Sequence, residues 1–375
     1  MTPSLFVAAA LNILTEPGVS APRGERPMRD VLGVNHINVL YTLTGKDALN
    51  EGADQVLELG SRVIKLTMRE QMTPHYRHGV RWPEVTSLAA LAEHPALREL
   101  FAKPFTTYVI MAFRPGKPIS YQVGGMLAED VRAEQDAFYE LTRHFLTRYR
   151  GSGKTFVLQD WEGDWVLTNP PLDMDRVPDP SAIEGMVAWL NARQEGVDRA
   201  RDEVGMDGVR VFHASEVNLL GKAMAGKPTM ANDVVPRTHC DLYSYSAYDT
   251  LVQGREPLRA ALEYLRAKAP DSRWFGADNL YLGEFGWPES LVGEERRLEI
   301  IRDGVEVGRE CGMQYLLFWA LYDDGVRDPA LASEVGLGRL ARPLTNADMV
   351  GNWLVRPDGT RSVVWEYFEA LCRER

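Results

Sequence analysis

Two short stretches of the sequence place a glutamate in surroundings that favour chemistry. Glu162 lies between two tryptophans in the segment WEGDW at 161–165, and Glu284 follows an apolar run in LGEFG at 282–286. A carboxylate at the end of a buried strand is costly unless it has partners or a catalytic role. Aromatic walls raise a carboxyl pKa by desolvation, which suits a general acid. Two such carboxyl groups among aromatics are the arrangement that cleaves a glycosidic bond.

Each glutamate also has a purely structural interpretation. Glu284 could be a strand-end carboxylate that pairs with Lys65 or caps a helix. Glu162 could face solvent in an acidic loop, where Asp160 and Asp164 are rivals for its role. Because successive side chains of an extended strand alternate, Asp160 is expected to point the same way as Glu162.

The elements that must position these residues are eight strand-like runs rich in Val, Ile, Phe, Tyr and Leu. Most are almost continuously apolar, which is typical of parallel strands covered on both faces. The predicted strands are 32–41, 62–68, 105–113, 155–161, 209–214, 241–248, 279–284 and 314–321.

Amphipathic helix-like segments alternate with these runs. They cover 47–60, 88–101, 128–149, 180–204, 257–269, 294–311 and 362–373, whereas the link at 218–239 carries no strong helix. Strict alternation predicts a parallel sheet, and eight such units most simply close into an α/β fold of the (β/α)8 TIM-barrel type. The alternative, an open doubly wound sheet, would usually show a glycine-rich phosphate turn after the first strand, and 39–46 is not one.

Aromatic residues gather at the predicted strand ends, where barrels carry their chemistry. Flat aromatic faces stack on the C–H surfaces of sugars, although each aromatic taken singly could be core filling. The candidates for such a surface are Trp161, Trp165, Trp287, Trp319, Tyr245 and Tyr248.

At these positions the sequence resembles the large clan of retaining glycoside hydrolases built on TIM barrels, which includes cellulases, mannanases and β-galactosidases. The resemblance covers about 31–368 at the level of motif positions. The segment 282–286 is similar to the clan's nucleophile strand, and 161–165 looks like its acid/base strand. The resemblance therefore implies that Glu284 is the nucleophile and Glu162 the acid/base.

Further roles follow from the resemblance alone. Tyr248 matches a strand-six tyrosine that hydrogen-bonds the nucleophile, with Tyr245 as the substitute, and Trp319 matches a strand-eight sugar platform. The remaining matches are His213, where the clan often has a strand-five histidine, and Asn35 and His36, at a first-strand position that often contacts sugar hydroxyls.

Two positions depart from the clan's pattern. The residue directly before the acid/base is usually Asn, which holds the sugar 2-hydroxyl, and here it is Trp161. The clan often has Arg on strand two near the nucleophile, where Lys65 keeps the charge and loses the planar fork. Both departures leave the substrate open.

Composition narrows the classes of partner. The 375 residues carry 42 Lys and Arg against 53 Asp and Glu, a net charge of −11, which argues against nucleic acid or an anionic membrane surface. Three scattered cysteines and seven dispersed histidines suggest no disulfide framework, metal site or organic cofactor. The apolar run at 5–14 is expected to be a packed N-terminal segment; a cleaved signal peptide is the alternative, so a cytoplasmic location is favoured over secretion.

The sequence thus predicts one catalytic domain over 1–375, with an N-terminal lead of about 30 residues and long βα loops. The predicted activity is hydrolysis of a carbohydrate by a retaining mechanism with two glutamates. Transglycosylation at the same site, a carbohydrate-binding barrel without turnover and a metal-dependent barrel hydrolase are the alternatives. Sugar, linkage, exo or endo action and oligomeric state stay open.

Overall fold

A closed parallel barrel is the core of the protein. The computed structural model describes residues 26–168, 174–336 and 341–374, so the predicted segment at 5–14 lies outside the described residues. Each strand pairs with the next in chain order, and β8 pairs with β1. The strands are β1 Leu32–Asn35, β2 Val63–Met68, β3 Thr107–Ala112, β4 Thr155–Gln159, β5 Arg210–Val217, β6 Leu242–Ser246, β7 Leu280–Phe285 and β8 Leu316–Phe318. The predicted (β/α)8 fold is confirmed, and every strand overlaps its predicted segment; the single domain over the whole chain stays a prediction.

Helices connect the strands and cover the outside of the barrel. Within the described residues they are α1 Ala48–Leu59, α2 Leu88–Ala92, α3 Pro95–Ala102, α4 Ala128–Arg148, α5 Gly163–Thr168, α6 Pro180–Val204, α7 Leu220–Met224, α8 Tyr248–Leu251, α9 Arg255–Lys268, α10 Glu289–Val292, α11 Glu294–Glu310, α12 Pro329–Gly336 and α13 Val363–Arg373. None of these helices is long and apolar enough to cross a membrane.

Local sequence sets the ends of these helices. Asp47 accepts a hydrogen bond from the Asn50 amide at the start of α1, and Gly60 ends the helix with a positive φ of 98°. One helix predicted at 88–101 is in fact two, because Pro95 cannot donate to the preceding turn and begins α3 instead.

The amino-terminal half of the barrel interior is apolar. Inward-facing side chains from seven strands pack there, and Phe275 contacts Phe212 with ring centroids 4.8 Å apart. We call this cluster the floor; its members on the strands are Val63, Val109, Val157, Phe212, Ala214, Leu242, Tyr281 and Leu317. A packed floor fixes the strand ends above it, where the site lies.

The loop after β4 is tied down by Asp164 in the first turn of α5. Its carboxylate accepts hydrogen bonds from the backbone amides of Asn218, Leu219 and Met230, at 2.8–3.2 Å. These amides belong to the connection that follows β5. The predicted rival of Glu162 is therefore a structural carboxylate that joins two loops.

Candidate active site

A cleft of about 570 Å³ opens at the carboxyl ends of the strands. Its volume is in the range of small-molecule sites. Both predicted catalytic glutamates line it. The other lining residues are Ile37, Asn38, Arg69, His75, Met111, Phe113, Ile119, Trp161, Trp165, Tyr248, Trp287, Pro288, Leu291, Trp319, Asp324 and Asn352.

Glu284 lies near the end of β7 and is held from two sides. Lys65 Nζ donates to its Oε1 at 2.9 Å, and the Tyr248 hydroxyl donates to its Oε2 at 3.2 Å. The residue before it has to be glycine, because a Cβ at Gly283 would lie 1.8 Å from Ser244 Oγ. The predicted contacts of Lys65 and Tyr248 with Glu284 are thus present in the geometry.

Glu162 reaches the cleft through an unusual backbone turn. β4 ends at Gln159, and Glu162 has a positive φ of 27°, a conformation that side-chain-bearing residues rarely adopt. The Glu162 amide donates to Glu216 Oε2 at 3.1 Å, which anchors the turn. The side chain is only 8% exposed. Strain held in place by a buried anchor is common at functional sites.

The two carboxyl groups differ in their electrostatic surroundings. Burial, followed by the charges of Glu284 and Glu216, raises the pKa of Glu162 well above its ordinary value. Burial also raises the pKa of Glu284, to about 7, but Lys65 and Tyr248 stabilise its charged form. These surroundings favour the protonated form at Glu162 and the ionised form at Glu284. Opposite preferences of this kind suit one group to donate a proton and the other to act as a carboxylate.

A third glutamate, Glu216 on β5, lies beneath the other two and was missed as a site residue. It is fully buried and ion-paired to Lys65 at 3.1 Å. Gln159 Nε2 at 3.1 Å and Ser244 Oγ at 2.9 Å donate to the same oxygen, Oε1. Strand alternation carried the missing signal: Phe212 and Ala214 face the barrel interior, so Glu216 must face it too.

Four tryptophans form the walls of the cleft, as the strand-end positions predicted. Trp161 and Trp165 flank Glu162 in the chain, whereas Trp287 and Trp319 follow the ends of β7 and β8. All four are half-buried, so part of each ring faces the cleft. An amphipathic ring exposed in this way offers a flat surface to an apolar face of a ligand.

A chain of polar side chains fixes the orientation of Trp319. Its indole Nε1 donates to Asp324 Oδ1 at 3.3 Å, and Asn38 Nδ2 donates to Asp324 Oδ2 at 2.9 Å. His75 Nδ1 lies 2.6 Å from Asn38 Oδ1. Since Asn38, His75 and Asp324 come from three different loops, sequence spacing gave no sign that they meet.

Arg69 brings a cation to the cleft without an ion-pair partner among the described residues. Burial lowers its pKa, with the charge of Glu70 opposing. Its guanidinium lies 5.7 Å from the centre of the Phe113 ring. Its donors are therefore available to a bound ligand.

The first-strand residues Asn35 and His36 do not reach the cleft, which corrects the prediction that they contact substrate. Asn35 is fully buried and donates to backbone carbonyls of β7 and β8. His36 faces α1, where its Nε2 lies 2.8 Å from the Ala48 carbonyl. β1 ends at Asn35, and the residue after this strand that does line the cleft is Asn38, three positions further along the chain.

Two further predicted supports point away from the cleft. His213 faces the surrounding helices, edge-on to Phe138, because Phe212 and Ala214 on either side of it take the interior positions. Tyr245 is also buried outside the cleft, with its hydroxyl bonded to Asp249 and to Thr250 at 2.7 Å. Tyr248 is thus the tyrosine that contacts Glu284.

Asp160 also differs from its prediction. Its Oδ1 accepts the Glu216 amide at 2.7 Å, and it is absent from the cleft lining, so it does not point the same way as Glu162. The chain leaves the extended conformation after Gln159, which breaks the alternation that the prediction assumed. Asp160 instead holds the backbone of β5 beneath the site.

Solved structures with a similar fold were found for this chain, whereas the other two comparisons found no match. No protein-family model matches the chain, and no curated protein matches it. Among solved structures, the exo-β-1,4-mannosidase from Opitutaceae bacterium strain TAV5 has a TM-score of 0.57 at 13% identity, covering 92% of this chain and 59% of its own. The chain thus spans less than two thirds of that relative.

Two further structures cover more of their own length. The glycoside hydrolase 5 lichenase from Caldicellulosiruptor sp. F32, solved with cellotetraose, has a TM-score of 0.53 at 13% identity, over 92% of this chain and 93% of its own. The broad-specificity endoglucanase from Clostridium longisporum has a TM-score of 0.54 at 10% identity, over 93% and 98%. At these identities the likeness establishes a shared barrel, and the resemblance to TIM-barrel glycoside hydrolases is confirmed at the level of the fold.

Proposed function

We propose that the protein is a glycoside hydrolase that cleaves an O-glycosidic bond with retention, using Glu284 as nucleophile and Glu162 as acid/base. One observation carries the proposal: two buried carboxyl groups face the same tryptophan-walled cleft, and their surroundings favour opposite protonation states. The names of the similarly folded mannosidase, lichenase and endoglucanase agree with a carbohydrate substrate.

In the first step, the ionised Glu284 attacks the anomeric carbon. A bond forms between a carboxylate oxygen and that carbon while the glycosidic C–O bond breaks, and Glu162 transfers its proton to the departing oxygen. Lys65 and Tyr248 hold Glu284 through both of its oxygens, which fixes its direction of attack.

In the second step, Glu162 acts as a base. Now ionised, it takes a proton from water, the water oxygen bonds to the anomeric carbon, and Glu284 leaves as a carboxylate. Glu162 regains its proton, and both groups return to their starting states. Two inversions at the anomeric carbon give net retention.

The test is a screen of nitrophenyl glycosides and oligosaccharides on wild type and Glu284→Gln. Wild type should turn over at least one aryl glycoside, and the variant should lose at least about 10³-fold in kcat/KM. Glu295→Gln changes an exposed glutamate outside the cleft and is the matched control; it should retain full activity.

Other outcomes would separate the alternatives. Sugar binding that Glu284→Gln leaves unchanged, with zero turnover in wild type, would contradict the proposal and favour a binding protein. Release of longer oligosaccharides in excess of free sugar would favour transglycosylation. Loss of activity in chelator would favour a metal-dependent hydrolase.

A further inference from the structure

Glu216 contacts the machinery of both proposed catalytic glutamates. Its Oε2 accepts the backbone amide of Glu162, and its Oε1 is ion-paired to Lys65, which in turn pairs with Glu284. Donors on β2, β4 and β6 and in the loop after β4 thus converge on one side chain. No other carboxylate among the described residues joins the two sides of the site in this way.

All three N–H donors of the Lys65 ammonium have acceptors in this arrangement. Its ammonium donates to Glu216 Oε1 at 3.1 Å, to the Gly283 carbonyl at 3.1 Å and to Glu284 Oε1 at 2.9 Å. An ammonium has three N–H donors, and each has one acceptor here. A planar guanidinium would present its donors in a fork and could not reproduce three divergent contacts.

The charges explain why a second carboxylate is useful. Lys65 alone with Glu284 would form a neutral buried pair, in which the full positive charge lowers the pKa of the carboxyl group and so its basicity. Because Glu216 shares the charge of Lys65, Glu284 keeps more of its basicity while staying aimed. The anchor on the Glu162 amide simultaneously supports the positive φ that turns Glu162 toward the cleft.

We propose that Glu216 is a positioning residue, which fixes the turn that carries Glu162 and divides the charge of Lys65 with Glu284. This inference rests on the proposed function. The opposing interpretation is that Glu216 only neutralises a buried lysine and stabilises the barrel.

Charged and titratable groups on every neighbouring element bear on a pH test of this proposal. Those facing Glu162, Glu216 or Glu284 are Lys65 on β2, Asp160 after β4, Asp164 on α5, Tyr248 on α8, Tyr281 on β7 and Asp324 after β8. The charge of Glu216 raises the pKa of both Glu162 and Glu284. Removing that charge should therefore lower both.

The experiment measures kcat, KM and the pH profile of Glu216→Gln on the best aryl glycoside. Both limbs of the kcat/KM profile should move to lower pH by about half a unit or more, because one nearby charge is lost. The rate kcat should fall about 10-fold or more with KM nearly unchanged, since the substrate surfaces are intact.

Glu216→Asp provides a second variant that keeps the charge. Its carboxylate is one methylene shorter and withdraws from the Glu162 amide, so kcat should fall about 10- to 100-fold while the pH limbs stay near those of wild type. If Glu216→Gln fails to fold, Glu216→Asp tests the proposal in its place. An unchanged kcat in Glu216→Asp would overturn the proposal.

Glu134→Gln is the matched control. Glu134 on α4 is also fully buried and is ion-paired to Arg193 on α6 at 2.8 Å, but it does not line the cleft. It should lower the melting temperature without moving either pH limb. If Glu216→Gln behaves in the same way, Glu216 is structural and the proposal is wrong.

A readout without turnover separates this proposal from the proposed function. The carboxyl ¹³C resonance of Glu284 can be titrated in wild type and in Glu216→Gln, and its midpoint should be lower in the variant. If wild type has no glycosidase activity, the proposed function fails. Independently of activity, a Glu284 titration midpoint that is the same in wild type and Glu216→Gln would overturn the proposed effect of Glu216 on Glu284.

Discussion

The floor of the barrel and the layer directly above it are built from the same strands but have opposite chemistry. On β2 the inward residue changes from Val63 to Lys65, and on β4 from Val157 to Gln159. On β5 it changes from Ala214 to Glu216. A step of two residues along each strand therefore separates a hydrophobic core from a buried ionic network. The comparison teaches that stability and chemistry occupy adjacent layers, so mutations in each should have separable effects.

The largest effect is expected in the upper layer, from Glu162→Ala. Loss of the general acid should reduce kcat/KM about 10²- to 10⁴-fold on substrates with poor leaving groups. The loss should be much smaller with nitrophenyl leaving groups, which need little protonation. The alkaline limb of the pH profile should vanish as well, because the group that must be protonated is gone. A uniform loss across leaving groups would contradict the role of Glu162.

In the floor, Phe212→Ala should cost about 3–5 kcal/mol of unfolding free energy, because it empties a closely packed aromatic site. Phe212 is 1% exposed and packs against Phe275. Denaturant unfolding measures the loss. The pH limbs of the folded variant should match those of wild type, and a shift in either limb would show that the two layers are not separable.

Asp160→Asn tests the boundary between the layers. Burial raises the pKa of Asp160 to about 7. The folded state therefore keeps a proton that the unfolded state releases above its ordinary pKa near 4. The contribution of Asp160 to the free energy of unfolding is therefore fully present below about pH 4 and is lost as pH rises to about 7.

In Asp160→Asn, the free energy of unfolding should fall by about 2–4 kcal/mol less than in wild type as pH rises from about 4 to about 7. An asparagine oxygen can still accept the Glu216 amide, so the two proteins should be similar near pH 4. Parallel stability curves across the range, measured by urea unfolding, would contradict the buried neutral carboxyl.

The smallest effect is expected from Trp287→Ala on the cleft wall. Loss of one aromatic surface should raise KM about 10-fold with little change in kcat, consistent with about 0.5–1.5 kcal/mol for an aromatic contact. Trp274→Ala is the control, since Trp274 packs against the floor. Equal effects of the two substitutions on KM would show that Trp287 does not bind substrate.

The fold could be predicted because its signals are local and repeated. Continuous apolar runs mark strands that are buried on both faces, and amphipathic segments mark the helices between them. The positions of Glu162 and Glu284 at the ends of β4 and β7 followed from the same pattern. Lys65 beside Glu284 was foreseen from charge, since a buried carboxylate needs a partner.

The parts that escaped prediction depend on where strands end and on which way side chains face. His213 was assigned from the resemblance alone, although alternation with Phe212 and Ala214 turns it outward. Asp160 was placed by alternation that stops at Gln159. Contacts such as Asn38 with Asp324 join distant parts of the chain, and one sequence holds no local signal for them.

The most direct test of the two-glutamate mechanism is covalent trapping. Once a turned-over glycoside is known, its 2-deoxy-2-fluoro analogue with a good leaving group should inactivate the enzyme and add one sugar per chain. Peptide mapping by mass spectrometry should place the adduct on Glu284, and Glu284→Gln should take up none. An adduct on Glu216 or another carboxylate, or an active enzyme whose product has the inverted anomeric configuration, would contradict the proposed mechanism.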